Sequence, residues 1–318
     1  MTTLPVPAPR WRAALAAAAA CVALAAPAPS LAQDRAAAPK ATPAKAEPGR
    51  VDTLRRIRET GTLLVGVRES SVPFSFVDAQ GQPQGYSVDL CNRIADAIKS
   101  ELKLARLETR YVPVTSANRI AFVKDGKVDL ECGSTTNTKD RQKDVAFAYT
   151  TFVAGIKMLA RKSSNVTGVE DLRGKTIVVT KGTTSEKMMR QLDDERLLHM
   201  TIVESPDHNQ SFRMVAEDKA VAFPMDDVLL YGLISKAAKP DDFAVVGRYL
   251  SVEPYGIMLR RDEPAFEKLV NRALNEMFQS GEARKLYAKW FATRDLTVPM
   301  NQYLKEAFQV PNTFPAWP

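Results

Sequence analysis

The chain has 318 residues, 45% hydrophobic and 25% charged, with 44 basic against 37 acidic side chains and two histidines. This is the composition of an ordinary soluble globular protein with length for two domains, and it leaves metal-site or catalytic-triad chemistry little histidine to draw on. The positive excess is dispersed and no stretch interleaves basic and aromatic residues on one face, so nucleic acid is not an expected partner.

At the N-terminus, Arg10 and Arg12 precede an apolar run from Ala13 to Ala26, and Ser30-Leu31-Ala32 supplies a small-x-small cleavage site. That order of charged, apolar and small residues reads as a cleaved secretory signal over residues 1–32, too short in its apolar part to span a bilayer. Cys21 within the run leaves a lipoprotein anchor open as an alternative. Residues 33–50, rich in Ala and Pro, read as a disordered tether. Loss of Arg10 and Arg12 leaves 42 − 37 = +5 on the mature chain, which favours the approach of small anions. Cys91 and Cys132 then remain in a compartment where disulfides persist, and two free buried thiols are the expectation, with a bridge conceivable.

From Val51 onward short apolar runs alternate with helical periods, the mark of an α/β architecture. Leu63 to Val67 reads as a buried strand. Leu90, Ile94, Ile98 and Leu102 recur at four-residue steps and predict an amphipathic helix from Ser87 to Leu102. Tyr111 to Val114 is the next strand, Ala117 to Lys124 a helix, and Val128 to Leu130 a strand running into Glu131-Cys132-Gly133. Phe152 to Leu159 is a long apolar run. The alternation resumes with a strand at Thr176–Thr180, a helix at Glu186–Leu192, a strand at Val221–Phe223 and a helix at Asp227–Ser235. Tyr255 to Leu259 reads as one more strand, and Phe266–Phe278 and Ala283–Phe291 as closing helices. No run is long enough to cross a membrane and no solenoid repeat is present.

Polar clusters sit where these strands hand over to helices: Arg68-Glu69-Ser70-Ser71, Thr115 to Arg119, Gly133 to Thr136, Gly182 to Glu186, and Met225-Asp226-Asp227. That edge of an open α/β sheet is where ligands bind, and helix N-termini there suit a carboxylate. Each cluster also has a plainer structural explanation. Thr183 and Glu186 form a capping box, Ser134 and Thr136 a hydroxyl-rich turn, and Asp226 a helix N-cap, while the arginines and His208 could be surface residues. Neither a nucleophile elbow nor a zinc-peptidase motif occurs, and Gly174-Lys175-Thr176 lacks the first glycine of a P-loop, Val169 standing in its place. Cys132 beside Glu131 reads as structural rather than nucleophilic.

At these clusters the sequence resembles the family-3 extracellular solute-binding proteins of ABC transporters, and within them the glutamate/aspartate-binding branch. The matching stretches are GVRESSVPFSF from Gly66, GYSVDL from Gly85, TSANRI from Thr115, DLECGSTTNT from Asp129 with Arg141 beyond it, TKGTTSE from Thr180, DHNQSFR from Asp207, AFPMDD from Ala222 and EPYGIMLRRDEP from Glu253. The resemblance implies a type II periplasmic-binding-protein fold: two α/β lobes joined by two crossover strands, near Val153 and near Val252 to Pro254. One lobe would be discontinuous, residues 51–152 plus 255–318, and the other would span 154–251.

The same resemblance implies a site without cofactor or metal. Arg141, helped by Thr136 and Thr184, stands at the α-carboxylate position; Asp226, with Ser134, at the α-ammonium position; and Arg68, Ser116, Arg119 and His208 at the positions that hold a side-chain carboxylate. Three arginines against Asp226 give 3 − 1 = +2, which suits an acidic amino acid of net charge −1 and disfavours lysine or arginine. The implied ligand is L-glutamate or L-aspartate at near-micromolar affinity, about −8 kcal/mol. The implied partners are permease subunits of an ABC importer in the inner membrane, approached from the periplasm by a monomer. Two rivals share the fold. A cyclohexadienyl dehydratase would need a general acid, for which Glu69 is the one candidate. A sensor ectodomain would need a membrane or signalling segment, and none is seen after Pro318.

Overall fold

A computed structural model describes residues 52–316. The expected signal, the tether, Cys21 and Val51 lie outside the described residues.

Two five-stranded mixed sheets carry the molecule. In the first, strands run in the order Glu108–Pro113, Thr62–Val67, Leu130–Glu131, Met258–Arg260, Val145–Phe147. The first three are parallel, and Met258–Arg260 enters antiparallel between its two neighbours. The second sheet runs Thr201–Ser205, Thr176–Thr180, Ala222–Asp226, Ile156–Arg161, Phe243–Val246. Its first three strands are parallel and Ile156–Arg161 is antiparallel to both sides. Central strands such as Thr176–Thr180 read as continuous apolar runs because helices cover both faces.

The helix Tyr86–Glu101 packs on the first sheet through the four-residue ladder seen in the sequence, with Leu90, Ile94 and Ile98 fully buried. Pro264–Gln279 and Glu282–Phe291 pack beside it. The two lobes are joined by Phe152–Ala154 and Glu253–Tyr255, which pair antiparallel as Glu253 with Ala154, Pro254 with Val153 and Tyr255 with Phe152. Phe152 and Tyr255 anchor these crossovers in an aromatic cluster, with ring centroids 4.8 and 5.1 Å from Phe74, and Phe152 4.9 Å from Phe291.

Several elements differ from expectation. The run from Phe152 breaks at Gly155, where a Cβ would stand 2.8 Å from the Ser251 carbonyl, so the chain switches there from crossover to sheet. The strand expected over Tyr255–Leu259 is likewise two, Glu253–Tyr255 and Met258–Arg260. The helix expected from Ala117 starts at Arg119, because Thr115 and Asn118 exchange side chain–backbone hydrogen bonds of 2.8 and 3.2 Å that hold the chain in a turn. Helices at Thr53–Thr60, His208–Ala216 and Gln302–Gln309 and a strand at Thr201–Ser205 were not anticipated.

The preference for free thiols is corrected: Cys91 and Cys132 are joined by a disulfide, Cα to Cα 6.3 Å. Cys91 lies on the inward face of its helix, directly over the end of the strand that Cys132 leaves, a proximity that linear spacing does not reveal. Among the described residues no helix is long and apolar enough to cross a membrane.

Beyond the last closing helix the chain turns back and lies along the loop that follows Leu130–Glu131. Asn137 donates from Nδ2 to the Thr313 carbonyl at 2.9 Å, its own carbonyl accepts from the Ala316 amide at 2.7 Å, and the Thr150 amide donates to Asn312 at 2.9 Å.

Candidate functional site

The sheet edges of the two lobes face each other, and the loops between them touch. Gly182 has φ +80° and packs against the turn of the other lobe: a Cβ there would lie 2.7 Å from both Ala117 Cα and the Ser116 carbonyl. Arg141 spans the two sides, donating from Nη1 to the Thr136 carbonyl at 2.7 Å and from Nη2 to the Gly182 carbonyl at 3.2 Å. Lys187 and Asp140 form an ion pair of 2.8 Å across the same gap, and the His208 amide donates to Ser70 Oγ at 3.4 Å. The lobes are therefore closed on one another.

The nine residues singled out in the sequence all lie along this junction. Arg68 leaves the end of Thr62–Val67 and is 1% exposed; its amide donates to Ser75 Oγ at 2.8 Å, while its Nη1 is buried without a partner. Ser116 and Arg119 come from the turn after Glu108–Pro113. Arg119 donates from Nη1 to the Ser134 carbonyl at 3.3 Å, and Arg119 Nε and Ser116 Oγ have no partner. Ser134 Oγ is likewise unpartnered, and Thr136 bridges Tyr255 of the crossover. Thr184 donates to Glu253 Oε2 at 2.9 Å at the head of its helix. His208 opens the helix His208–Ala216, its Nδ1 2.9 Å from the Thr180 hydroxyl. Asp226 ends its strand and accepts from the Tyr255 hydroxyl, leaving Oδ1 unpartnered.

The structural explanations weighed for these residues divide. Thr183 does cap its helix, accepting from the Glu186 amide at 3.1 Å, and Glu186 reaches back to the Gly182 amide at 2.7 Å. Asp226 holds the N-cap position, but its carboxylate makes no cap and turns to Tyr255 instead. Nor is His208 a surface histidine: it is 1% exposed. Glu69, the general acid that a dehydratase would need, is exposed and stands outside the cluster.

Buried charge dominates the electrostatics. Arg68 and Arg141 are each pushed down to about 9, by burial first and by the charge of Arg119 second. Arg119 is lowered by burial, with Glu131 the largest opposing influence. His208 is held well below the usual imidazole range by burial and by Arg68 and Arg119, so it stays neutral at pH 7. Asp226 is held well above the usual carboxylate range by burial and by the neighbouring Glu253, against the Tyr255 hydrogen bond and Arg141.

Guanidinium, hydroxyl and carboxylate groups left without partners in a dry interior are costly unless something polar completes them. Here unpartnered donors on Arg68, Arg119, Ser116 and Ser134 and an unpartnered acceptor on Asp226 occur in one junction, a pattern suited to a small molecule bearing both signs of charge. No cluster of His, Cys, Asp and Glu able to hold a metal ion occurs among the described residues.

Three participants escaped the sequence reading. Glu131 is fully buried beneath the arginines, Tyr255 holds Asp226, and Glu253 takes the Thr184 hydroxyl. The charge count of +2 is thereby revised, since Arg68, Arg119 and Arg141 face Asp226, Glu131 and Glu253, or 3 − 3 = 0 when all are ionised. No local pattern marked Glu131: it stands in the two-residue strand Leu130–Glu131 directly after another acidic residue, Asp129, and the pairing of that strand is what places it.

Several known proteins resemble the chain. The chain is 44% identical over 266 residues to the L-glutamate/L-aspartate-binding protein of Pseudomonas aeruginosa, covering 81% of this chain and 88% of that one. It is 42% identical over 273 residues to the glutamate/aspartate import solute-binding protein of Escherichia coli, covering 84% and 90%. Among solved structures, a mutant of ArgBP from T. maritima matches with TM-score 0.68 at 30% identity over 76% of this chain and 99% of its own. An ancestral amino-acid-binding protein described as a precursor of cyclohexadienyl dehydratase matches with TM-score 0.65 at 31% identity over 75% and 99%. Since the family model also matches residues 63–293, through both sheets, both crossovers and every residue of the junction, the chain belongs to the bacterial extracellular solute-binding proteins, family 3.

Proposed function

We propose that the protein captures L-glutamate or L-aspartate by closing its two lobes over it, and delivers it to the permease of an ABC importer in the inner membrane. The observation that carries the ligand class is the group Arg68, Ser116, Arg119 and His208: two buried guanidiniums with unpartnered nitrogens, an unpartnered hydroxyl and a neutral imidazole in one corner of the junction. An amino acid needs only Arg141, Thr136 and Thr184 for its α-carboxylate and Asp226 and Ser134 for its ammonium. The additional corner matches a second carboxylate. Similarity to relatives named for glutamate and aspartate supports the same reading.

Capture is reversible and involves no covalent step. The open form samples closure and the ligand's contacts to both lobes hold it shut. Arg141 then serves as the fork for one carboxylate, and the buried Asp226 ionises against the ammonium. In this reading residues 1–32 are a cleaved signal that sends a monomer to the periplasm and 33–50 a tether. Residues 51–152 with 255–318 form one lobe and 154–251 the other. A thermal-shift panel of the twenty amino acids tests the proposal. Upward shifts for glutamate and aspartate are expected, and a shift for lysine or glutamine with none for either acid refutes it. The dehydratase alternative loses its general acid with the exposure of Glu69.

A further inference from the structure

We infer that Glu131 is a built-in competitor for the ligand's side-chain carboxylate, a buried acidic group that sets both the affinity of the site and its preference for an acid over the corresponding amide. This rests on the acidic-amino-acid reading above.

Glu131 ends the strand Leu130–Glu131 and is wholly buried. Its Oε2 accepts from the Thr135 hydroxyl at 2.7 Å, and Oε1 has no partner. Gly133 separates it from the arginine in front of it: a Cβ on Gly133 would run into Glu131 Oε1 and stand 2.9 Å from Arg68 Cγ. Glu131 stabilises the charged forms of Arg68, Arg119 and Arg141 through space, most strongly among the neighbours of Arg119. Among the described residues its carboxylate accepts one hydrogen bond, from Thr135, so it offsets the guanidiniums without occupying their N–H groups. Arg68 Nη1 and Arg119 Nε remain unpartnered.

A negative charge in that place has two opposed effects. In the ligand-free protein it lowers the cost of burying two like-charged arginines. In the complex it repels the incoming side-chain carboxylate, which must share the same field. A neutral amide feels no such repulsion. Glu131 therefore weakens the binding of the acid selectively, which keeps the ligand releasable from a pocket lined by arginines.

Glu131→Gln removes the charge while keeping shape and an acceptor for Thr135. Titration calorimetry of parent and variant with glutamate and with glutamine is expected to show glutamate binding about tenfold or more tighter in the variant, and glutamine changed by no more than about threefold. Weakening of both ligands would mean that Glu131 only orders its loop, and unchanged binding of glutamate would mean that its field does not reach the ligand; either result overturns the inference. If Glu131→Gln does not fold, Glu131→Asp carries the test. Its charge, withdrawn by one methylene, must move the glutamate-to-glutamine ratio the same way by a smaller factor, and an unchanged or lowered ratio overturns the inference. A parent protein that binds neither glutamate nor aspartate defeats the proposed function instead, which separates the two failures.

Discussion

Arg119→Ala separates the needs of the ligand from the needs of the fold. Arg119 is 3% exposed, its side chain makes a single hydrogen bond among the described residues, of 3.3 Å to the Ser134 carbonyl, and its Nε is unpartnered. Burial lowers the affinity of its guanidinium for its proton, so in the closed protein without ligand the side chain is a burden only partly relieved by Glu131. In the proposed complex it would partner a buried carboxylate, and its removal would leave that anion uncompensated. The expected loss of glutamate binding is roughly 3 to 5 kcal/mol, or about a hundredfold to several thousandfold in Kd. The ligand-free protein loses only one long hydrogen bond, worth about 1 kcal/mol, together with an unfavourable buried charge. Its melting midpoint should stay within about 4 °C of the parent. Calorimetric titration with glutamate, alongside a melting curve without ligand, measures both. Glutamate binding within threefold of the parent refutes the assignment of Arg119, and lost binding together with a collapsed melting midpoint assigns it a structural role instead.

His208 gives a pH dependence with a definite sign. It is neutral in the fold and protonates in the unfolded chain below about pH 6.5, so the unfolded state binds the extra proton and stability falls as pH drops from about 7, approaching 1.4 kcal/mol per unit well below 6.5. Melting midpoints from pH 8 to 5 should decline less steeply in His208→Gln than in the parent, and parallel declines would contradict the buried neutral imidazole. The Cys91–Cys132 bridge closes a loop of 41 residues' separation, for which chain entropy gives about 4 kcal/mol. Reduction, or the Cys91→Ser, Cys132→Ser double variant, should lower the denaturant midpoint, and an unchanged midpoint would place the pair outside the stability of the lobe. Deleting residues 311–318 removes the hydrogen bonds that the Asn312 and Thr313 carbonyls accept from Thr150 and Asn137 and the one that the Ala316 amide donates to Asn137. Since Asn137 follows Thr136 directly, glutamate should bind severalfold more weakly, and undiminished affinity would show that the loop holds its shape unaided.

What the sequence revealed followed its periodicities. Leu90, Ile94, Ile98 and Leu102 repeat with the helix and Thr176–Thr180 is a plain apolar strand, so both elements could be read directly. The residues of the junction stood out through the matched motifs rather than by type, since each arginine, serine or aspartate there also had a plainer structural explanation. Glu131 did not, because its effect depends on register: it pairs with Gly66 on one side and Met258 on the other, which puts its carboxylate under Arg68 from 63 positions away (131 − 68). Tyr255 and Glu253 reach Asp226 and Thr184 only because two crossover strands pair, and no local pattern encodes that pairing. The helix at His208 was concealed by its polar opening, although Asp207 caps it by accepting from the Gln210 amide at 2.9 Å, and an acidic residue ahead of an uncharged polar turn is a readable cap.

The order of strands also bears on how the molecule assembles. Every strand of the second sheet lies between Ile156 and Val246, so that lobe can form from one uninterrupted stretch of chain. The first sheet is different: its strands Leu130–Glu131 and Val145–Phe147 do not touch until Met258–Arg260 slides between them. A chain crossing the membrane N-terminus first would deliver both cysteines, then a complete second lobe, and last the strand that closes the first sheet. Oxidation of Cys91 and Cys132 would then tether a helix to an unfinished sheet, holding its edge until the late strand arrives.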